Sequence, residues 1–425
     1  MTTETAKTQT PEPCCTDYRT SRRSFLRGSA VLGGAATVTA AYGTAMTQTA
    51  YAAGSAQQVL VVLSMRGAAD GLSLVVPHSD PVYYQARPGI AVQSDRLLVK
   101  NGTFGLHPSL APLLPMWNAG KMASIHATGL PVANRSHFSA MEEVEDADPT
   151  SDARVGWLNR LVGRDGTGSP IEAVQMGGGV PSAAVCGPQP VLVTGGVDSV
   201  QLAGGTGTSE VPRRNAISQA WGSGANDDLA QGMRSAMDVV ADFAPVRATS
   251  ETPSNGAVYP RGDLGSALQA TARTIRADVG AEIITVDHGS WDHHTWIGTT
   301  EDGHLKRLAD EFALAVAAFF KDIGTLASKV TLVTISEFGR RVVENANQGL
   351  DHGHGNVMFA LGAGVKGGYY GTMPTLTKTT DADVLVTTDY RDVLNEVITT
   401  RMGASTAQIF PGFTAARAKG FMTSL

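Results

Sequence analysis

Residues 330–340 read "VTLVTISEFGR". The first six carry no charge, and five of them are β-branched. β-branched residues fit a pleated surface, and an uncharged run this short suits a strand buried on both faces. An acid and a base follow at once, in Ser336-Glu337-Phe338-Gly339-Arg340. The same order recurs along the chain. Val59-Leu60-Val61-Val62-Leu63 leads into Arg66-Gly67-Ala68-Ala69-Asp70-Gly71, and Ile283 to Val286 leads into Asp287 to His294. Met122 to His126 leads into Thr128-Gly129-Leu130-Pro131 and then Asn134-Arg135-Ser136-His137. Val357 to Leu361 instead follows its polar cluster, Asp351-His352-Gly353-His354-Gly355, and stops at Gly362. Helical periodicity lies between, over about Leu264 to Ala277 and Leu305 to Leu326. Strands alternating with helices predict an α/β fold: a doubly wound, mostly parallel sheet with helices on both faces. Ligands in such folds bind beyond the carboxyl ends of the strands, which is where most of these polar clusters sit.

The chain has 425 residues, 42% of them hydrophobic and 17% charged. Ser21-Arg22-Arg23-Ser24-Phe25-Leu26-Arg27 has the form of a twin-arginine export signal. The weakly apolar run Gly28 to Met46 and the small-x-small triplet Ala50-Tyr51-Ala52 complete the pattern of a cleaved leader. The run is rich in Ala, Gly and Thr, so no stable membrane span is expected. Residues 1–52 are therefore read as the signal, and 53–425 as a single domain delivered to the periplasm, cell wall or exterior. The translocation machinery would be its first partner. Cleavage leaves 28 basic and 36 acidic residues, a balance that argues against nucleic acid. It also leaves Cys186 as the sole thiol, so an internal disulfide is ruled out. A stretch rich in Gly, Ser, Thr and Asn at about 196–256 reads as a loop-rich insertion, with a possible helix over Leu229 to Phe243.

Asp70 is a candidate metal ligand after a strand, although a turn aspartate before glycine is the plainer reading. Ser136 has the type and place of a helix N-cap. The same position suits a nucleophile, because free N–H groups there hold an anion. Asp292 and His294 alternate, so an extended segment would aim both one way. His352 and His354 alternate likewise, among glycines that permit close approach. Glu337 follows the strongest strand, and a Glu337–Arg340 ion pair is the simple alternative to a ligand role. Asp, Glu and His at one sheet edge suit zinc, with calcium and magnesium as alternatives. Two ions roughly 4 Å apart would clamp a small anionic ester.

These motifs, with Gly156-Trp157-Leu158 and Thr388-Asp389-Tyr390-Arg391-Asp392-Val393, resemble the DUF1501 family over nearly all of the chain after the leader. That family looks like a branch of the alkaline phosphatase and sulfatase superfamily. The resemblance implies an alkaline-phosphatase-like sheet and a two-metal site. It places Asp70 first, Ser136 as nucleophile, then Asp292 with His294, then Glu337, then His352 or His354. Glu337 stands alone where an Asp-His pair is usual. Cys186-Gly187-Pro188-Gln189-Pro190 ends in Pro190 where a sulfatase activation motif needs arginine. The expectation is an exported metal-dependent hydrolase of phosphate or sulfate esters. Ser136 would attack, and Arg66 or Arg340 would hold the non-bridging oxygens. The alternative is a non-catalytic exported protein that keeps the fold and binds a metal or a partner.

Overall fold

Val59–Met65 forms strand β1 and Val330–Ile335 forms β8, and every residue of both is buried. They pair in parallel at the middle of a nine-stranded sheet. The structure, a computed structural model, describes residues 55–148, 154–164, 169–202, 209–221 and 228–423. The expected export signal lies outside these residues. β2 (Val75–Val76) and β3 (Gly105–Leu106) form a separate antiparallel ribbon. The remaining strands are β4 (Met122–Gly129), β5 (Ala173–Met176), β6 (Leu192–Thr194), β7 (Ile283–His288), β9 (Asn356–Gly362), β10 (Gly368–Tyr370) and β11 (Thr388–Asp389). The order across the sheet is β10-β4-β9-β8-β1-β7-β5-β6, with β11 also on β4.

Within the nine-stranded sheet every pairing is parallel except the two that β9 makes, with β4 and β8. This one reversal matters for the site. In parallel orientation the cluster before β9 would lie at the opposite edge from the other clusters. Antiparallel pairing sets Asn356 beside Thr128, so the start of β9 lies where β4 ends. The loop 351–355 thereby joins the exits of β1, β4, β7 and β8.

Side chains of β1 alternate between two cores, as a doubly wound sheet requires. Val61 and Leu63 face one, and Leu60 and Val62 the other. The described helices of ten or more residues are α1 (His137–Asp146), α2 (Glu210–Trp221), α3 (Asp228–Asp242), α4 (Asp263–Ala277), α5 (His304–Ile323) and α6 (Tyr390–Arg401). α4 and α5 cover the first face, and α1 and α6 the second. In α5, Leu305, Ala309, Phe312, Val316, Phe319 and Ile323 recur at steps of three and four, and all are buried. Each large apolar side chain of such a stripe contributes about 1.5–3 kcal/mol. Gly324, at φ +54°, ends the helix in a conformation that disfavours other residues. No described helix is long and apolar enough to cross a membrane.

In the region at 196–256, α3 falls where a helix was expected over Leu229 to Phe243, and α2 is a helix not expected. The region's described residues include α2 and α3, while 203–208 and 222–227 lie outside the description. None of α2 is buried, so it carries no apolar stripe by which a sequence would reveal it.

Candidate metal centre

Three histidines from three loops meet at the sheet edge. His137 opens α1 beyond the end of β4, His294 follows β7, and His352 precedes β9. Each ring rests its Nδ1 on an oxygen. His137 Nδ1 lies 2.8 Å from Glu337 Oε1, and His352 Nδ1 lies 2.8 Å from the Arg135 carbonyl. His294 Nδ1 lies 3.4 Å from Asp351 Oδ1. A ring nitrogen facing a carboxylate or carbonyl must carry the hydrogen, which assigns the tautomer from its partner. All three Nε2 atoms then present lone pairs, and that of His352 faces the other two. His352 Nε2 is 2.8 Å from His294 Nε2 and 3.0 Å from His137 Nε2. Asp292 Oδ1 stands 3.2 Å from His294 Nε2 and 3.5 Å from each of the other two.

Lone pairs converging like this repel unless a proton or a metal ion lies among them. Neighbouring ligands of a tetrahedral zinc are about 3.3 Å apart, given bonds of about 2.0–2.1 Å. The arrangement therefore fits a divalent ion. Among the described residues, His137, Asp292 and His352 form a group of three whose ligand atoms lie within 4.8 Å of one another.

The electrostatics keep Asp292 and His352 in ligand form. Burial alone would raise the Asp292 pKa, but the Arg340 guanidinium, 2.6 Å from Oδ1, holds it below the usual carboxylate value. Burial lowers the His352 pKa and Arg340 adds to this, against the pull of the Arg135 carbonyl. The hydrogen bond to Glu337 raises that of His137.

The expected residues divide. Asp292, His294 and His352 are together. His354 turns away, with Nε2 2.8 Å from the Leu130 carbonyl, and fastens its loop to the end of β4. Asp70 is also apart from the cluster. Both its oxygens meet Arg87, at 2.6 and 3.0 Å, in a pair with almost no exposure. Burial raises the Asp70 pKa, and the Arg87 charge overrides it, leaving the carboxyl below 3.8. Glu337 stands behind His137 and does not reach into the cluster. Arg340 is 1% exposed and donates to the carbonyls of Gly67, Ala68 and Leu350 as well as to Asp292. It clamps loops together and leaves no fork for an anion. Arg66 lies between Glu145 at 2.6 Å and Asp287 at 2.7 Å. Ser136 is the exposed N-cap residue of α1, and its side chain makes no capping hydrogen bond.

His137 escaped the sequence reading because Ser136 beside it took the functional role. Its position in the same turn as a candidate nucleophile was the available signal. Two glycines let the loops close. Gly67, at φ +107°, lies so near the next strand exit that a Cβ would stand 2.6 Å from the Asp292 nitrogen. At Gly353 a Cβ would meet the Arg340 carbonyl carbon at 2.3 Å.

The family model described as "Protein of unknown function (DUF1501)" matches residues 57–418. The chain belongs to this family. No curated protein matches it. Among solved structures, the lipoteichoic acid synthase LtaP from Listeria monocytogenes aligns at 9% identity and a TM-score of 0.30, over 79% of this chain and 72% of its own. BT1596, a 2-O GAG sulfatase, aligns at 10% identity and 0.27, over 73% and 65%. Likenesses this slight do not bear on the chemistry of the DUF1501 chain.

Proposed function

We propose that this DUF1501 chain is a metal-dependent hydrolase of phosphate or sulfate esters with Ser136 as its nucleophile. The observation that carries this reading is the approach of His352 Nε2 to those of His137 and His294, with Asp292 Oδ1 near all three, one residue along the chain from that serine. His137, Asp292, His294 and His352 would hold one divalent ion, zinc by the chemistry of the donors. Such an ion supplies Lewis-acid polarisation of an ester oxygen and eases ionisation of a nearby hydroxyl.

The chain's own residues do the rest. Ser136 sits between Arg135, whose carbonyl holds His352, and the ligand His137. Its hydroxyl is not committed to capping α1, a helix of ten residues. The N–H groups and dipole at that helix start favour a bound anion. Ser136 Oγ would bond to the phosphorus or sulfur as the alcohol oxygen leaves, and water would then cleave the covalent intermediate. Ser136→Ala should cut turnover by about 10³-fold or more while metal content and unfolding midpoint stay as in wild type. Full activity in that variant would remove the nucleophile from the account.

A second reading has its own support. Arg66 and Arg340, the expected anion grips, are both engaged elsewhere. A metal-binding protein without turnover would have that feature. A screen of phosphate and sulfate esters with zinc-loaded protein separates the two, since robust turnover of any ester excludes it. Under either reading we take residues 1–52 to direct export by the twin-arginine machinery.

A further inference from the structure

Glu337 makes the most constrained contact in the cluster without facing its centre. It is 3% exposed and follows β8 after Ser336. Its Oε1 takes the His137 Nδ1 contact at 2.8 Å and accepts the Gly67 N–H at 2.8 Å. Its Oε2 lies 3.1 Å from Ser336 Oγ. The other two Nδ1 partners are weaker holds. Asp351 is 54% exposed on its side chain and 3.4 Å away, and the Arg135 carbonyl carries no charge. The His137 ring stands between Glu337 and the Nε2 cluster.

We propose that Glu337 is a positioning residue, the outer carboxylate that fixes the tautomer and aim of His137. This assignment rests on the metal reading above and deepens it. A buried carboxylate held by a backbone N–H cannot swing, so it sets the ring where the exits of β1 and β8 place it. With Nδ1–H donated to Oε1, the Nε2 lone pair is the only one left for the cluster. A partner of this kind typically accounts for 10- to 100-fold in metal affinity. It also accounts for a lone Glu337 where a direct ligand pair was expected.

The test is zinc affinity, measured with zinc alone against a competing chelator, for wild type and three variants. Glu337→Ala removes the acceptor. Glu337→Asp keeps the charge but falls one methylene short of His137. Glu337→Gln loses the charge but can still offer a carbonyl to His137 and Gly67, and its amide to Ser336 Oγ. Positioning predicts binding weakened about 10- to 100-fold in Glu337→Ala and Glu337→Asp, and near wild type in Glu337→Gln. Imidazole nitrogen NMR, assigned with His137→Ala, should show Nδ1–H at His137 in wild type and Glu337→Gln. It should show mixed tautomers in Glu337→Asp. If Glu337→Ala fails to fold, the Asp and Gln pair decides. Equal zinc affinity in wild type and Glu337→Asp overturns the positioning role and leaves the metal centre standing. Collapse of binding in Glu337→Gln overturns it in favour of a direct ligand. No zinc binding by wild type overturns the metal centre and the positioning role together.

Discussion

Asp70 and Arg87 show how a site-like residue becomes structural. Two hydrogen bonds, at 2.6 and 3.0 Å, join them where neither side chain has more than 1% exposure. A further 2.8 Å bond runs from Arg87 Nε to the Val342 carbonyl, tying the region to the chain beyond β8. Removing one partner of such a pair strands a buried charge. Arg87→Ala should cost about 3–5 kcal/mol, read from denaturant midpoints, while the folded fraction keeps its zinc affinity. A midpoint equal to wild type would contradict the structural role. Little of this was legible in advance. Arg87 sits in a proline-rich stretch with no motif around it, and the pairing exists only once the chain folds. The grouping of Asp292, His294 and His352 was legible because alternating side chains need only a locally extended backbone to face one way. His352 could not be told from His354, since the choice depends on carbonyls from a distant loop, those of Arg135 and Leu130.

At the scale of elements, β4 does two jobs. Its far end delivers Ser136 and His137, and its body buries His126. The His126 ring stacks on Phe104 at 3.8 Å, and burial lowers its pKa to about 3. His107, beside the small ribbon, is lowered to about 4, first by burial. Both lie below their ordinary 6.5, so the unfolded chain takes up protons that the folded chain refuses. Their contribution is full above pH 6.5 and is lost as the pH falls toward about 4 for His107 and about 3 for His126. Each adds a slope of up to about 1.4 kcal/mol per pH unit in that window. His137, with its raised pKa, works in the opposite direction. Urea midpoints should therefore fall between pH 6.5 and 4.5, and His126→Leu should flatten the fall. A flat wild-type profile over that range would contradict the burial argument. The long strands β1, β4, β7, β8 and β9 were readable as apolar runs. The three-residue β6 and β10 and two-residue β11 were not, because so few residues carry no period. The reversed direction of β9 was equally hidden, since direction is a property of pairing and not of composition.

For the whole molecule, the sheet brings together what the sequence scatters. The candidate ligands at residues 137, 292, 294 and 352 come to one place because four strand exits and one reversed strand share an edge. The doubly wound sheet was legible because alternation of strand and helix is a long-range pattern that survives local irregularity. The surface helix α2 was not, because it buries nothing. The number of ions is where the sequence reading and the geometry part most clearly: the resemblance implies two, and the ligands gathered here suit one. The deciding measurement is elemental analysis of purified protein refilled with zinc, as wild type, His352→Ala and His354→Ala. A one-ion centre predicts close to one equivalent in wild type, loss in His352→Ala and retention in His354→Ala. An absence of bound metal in wild type, or equal loss in both variants, would contradict it.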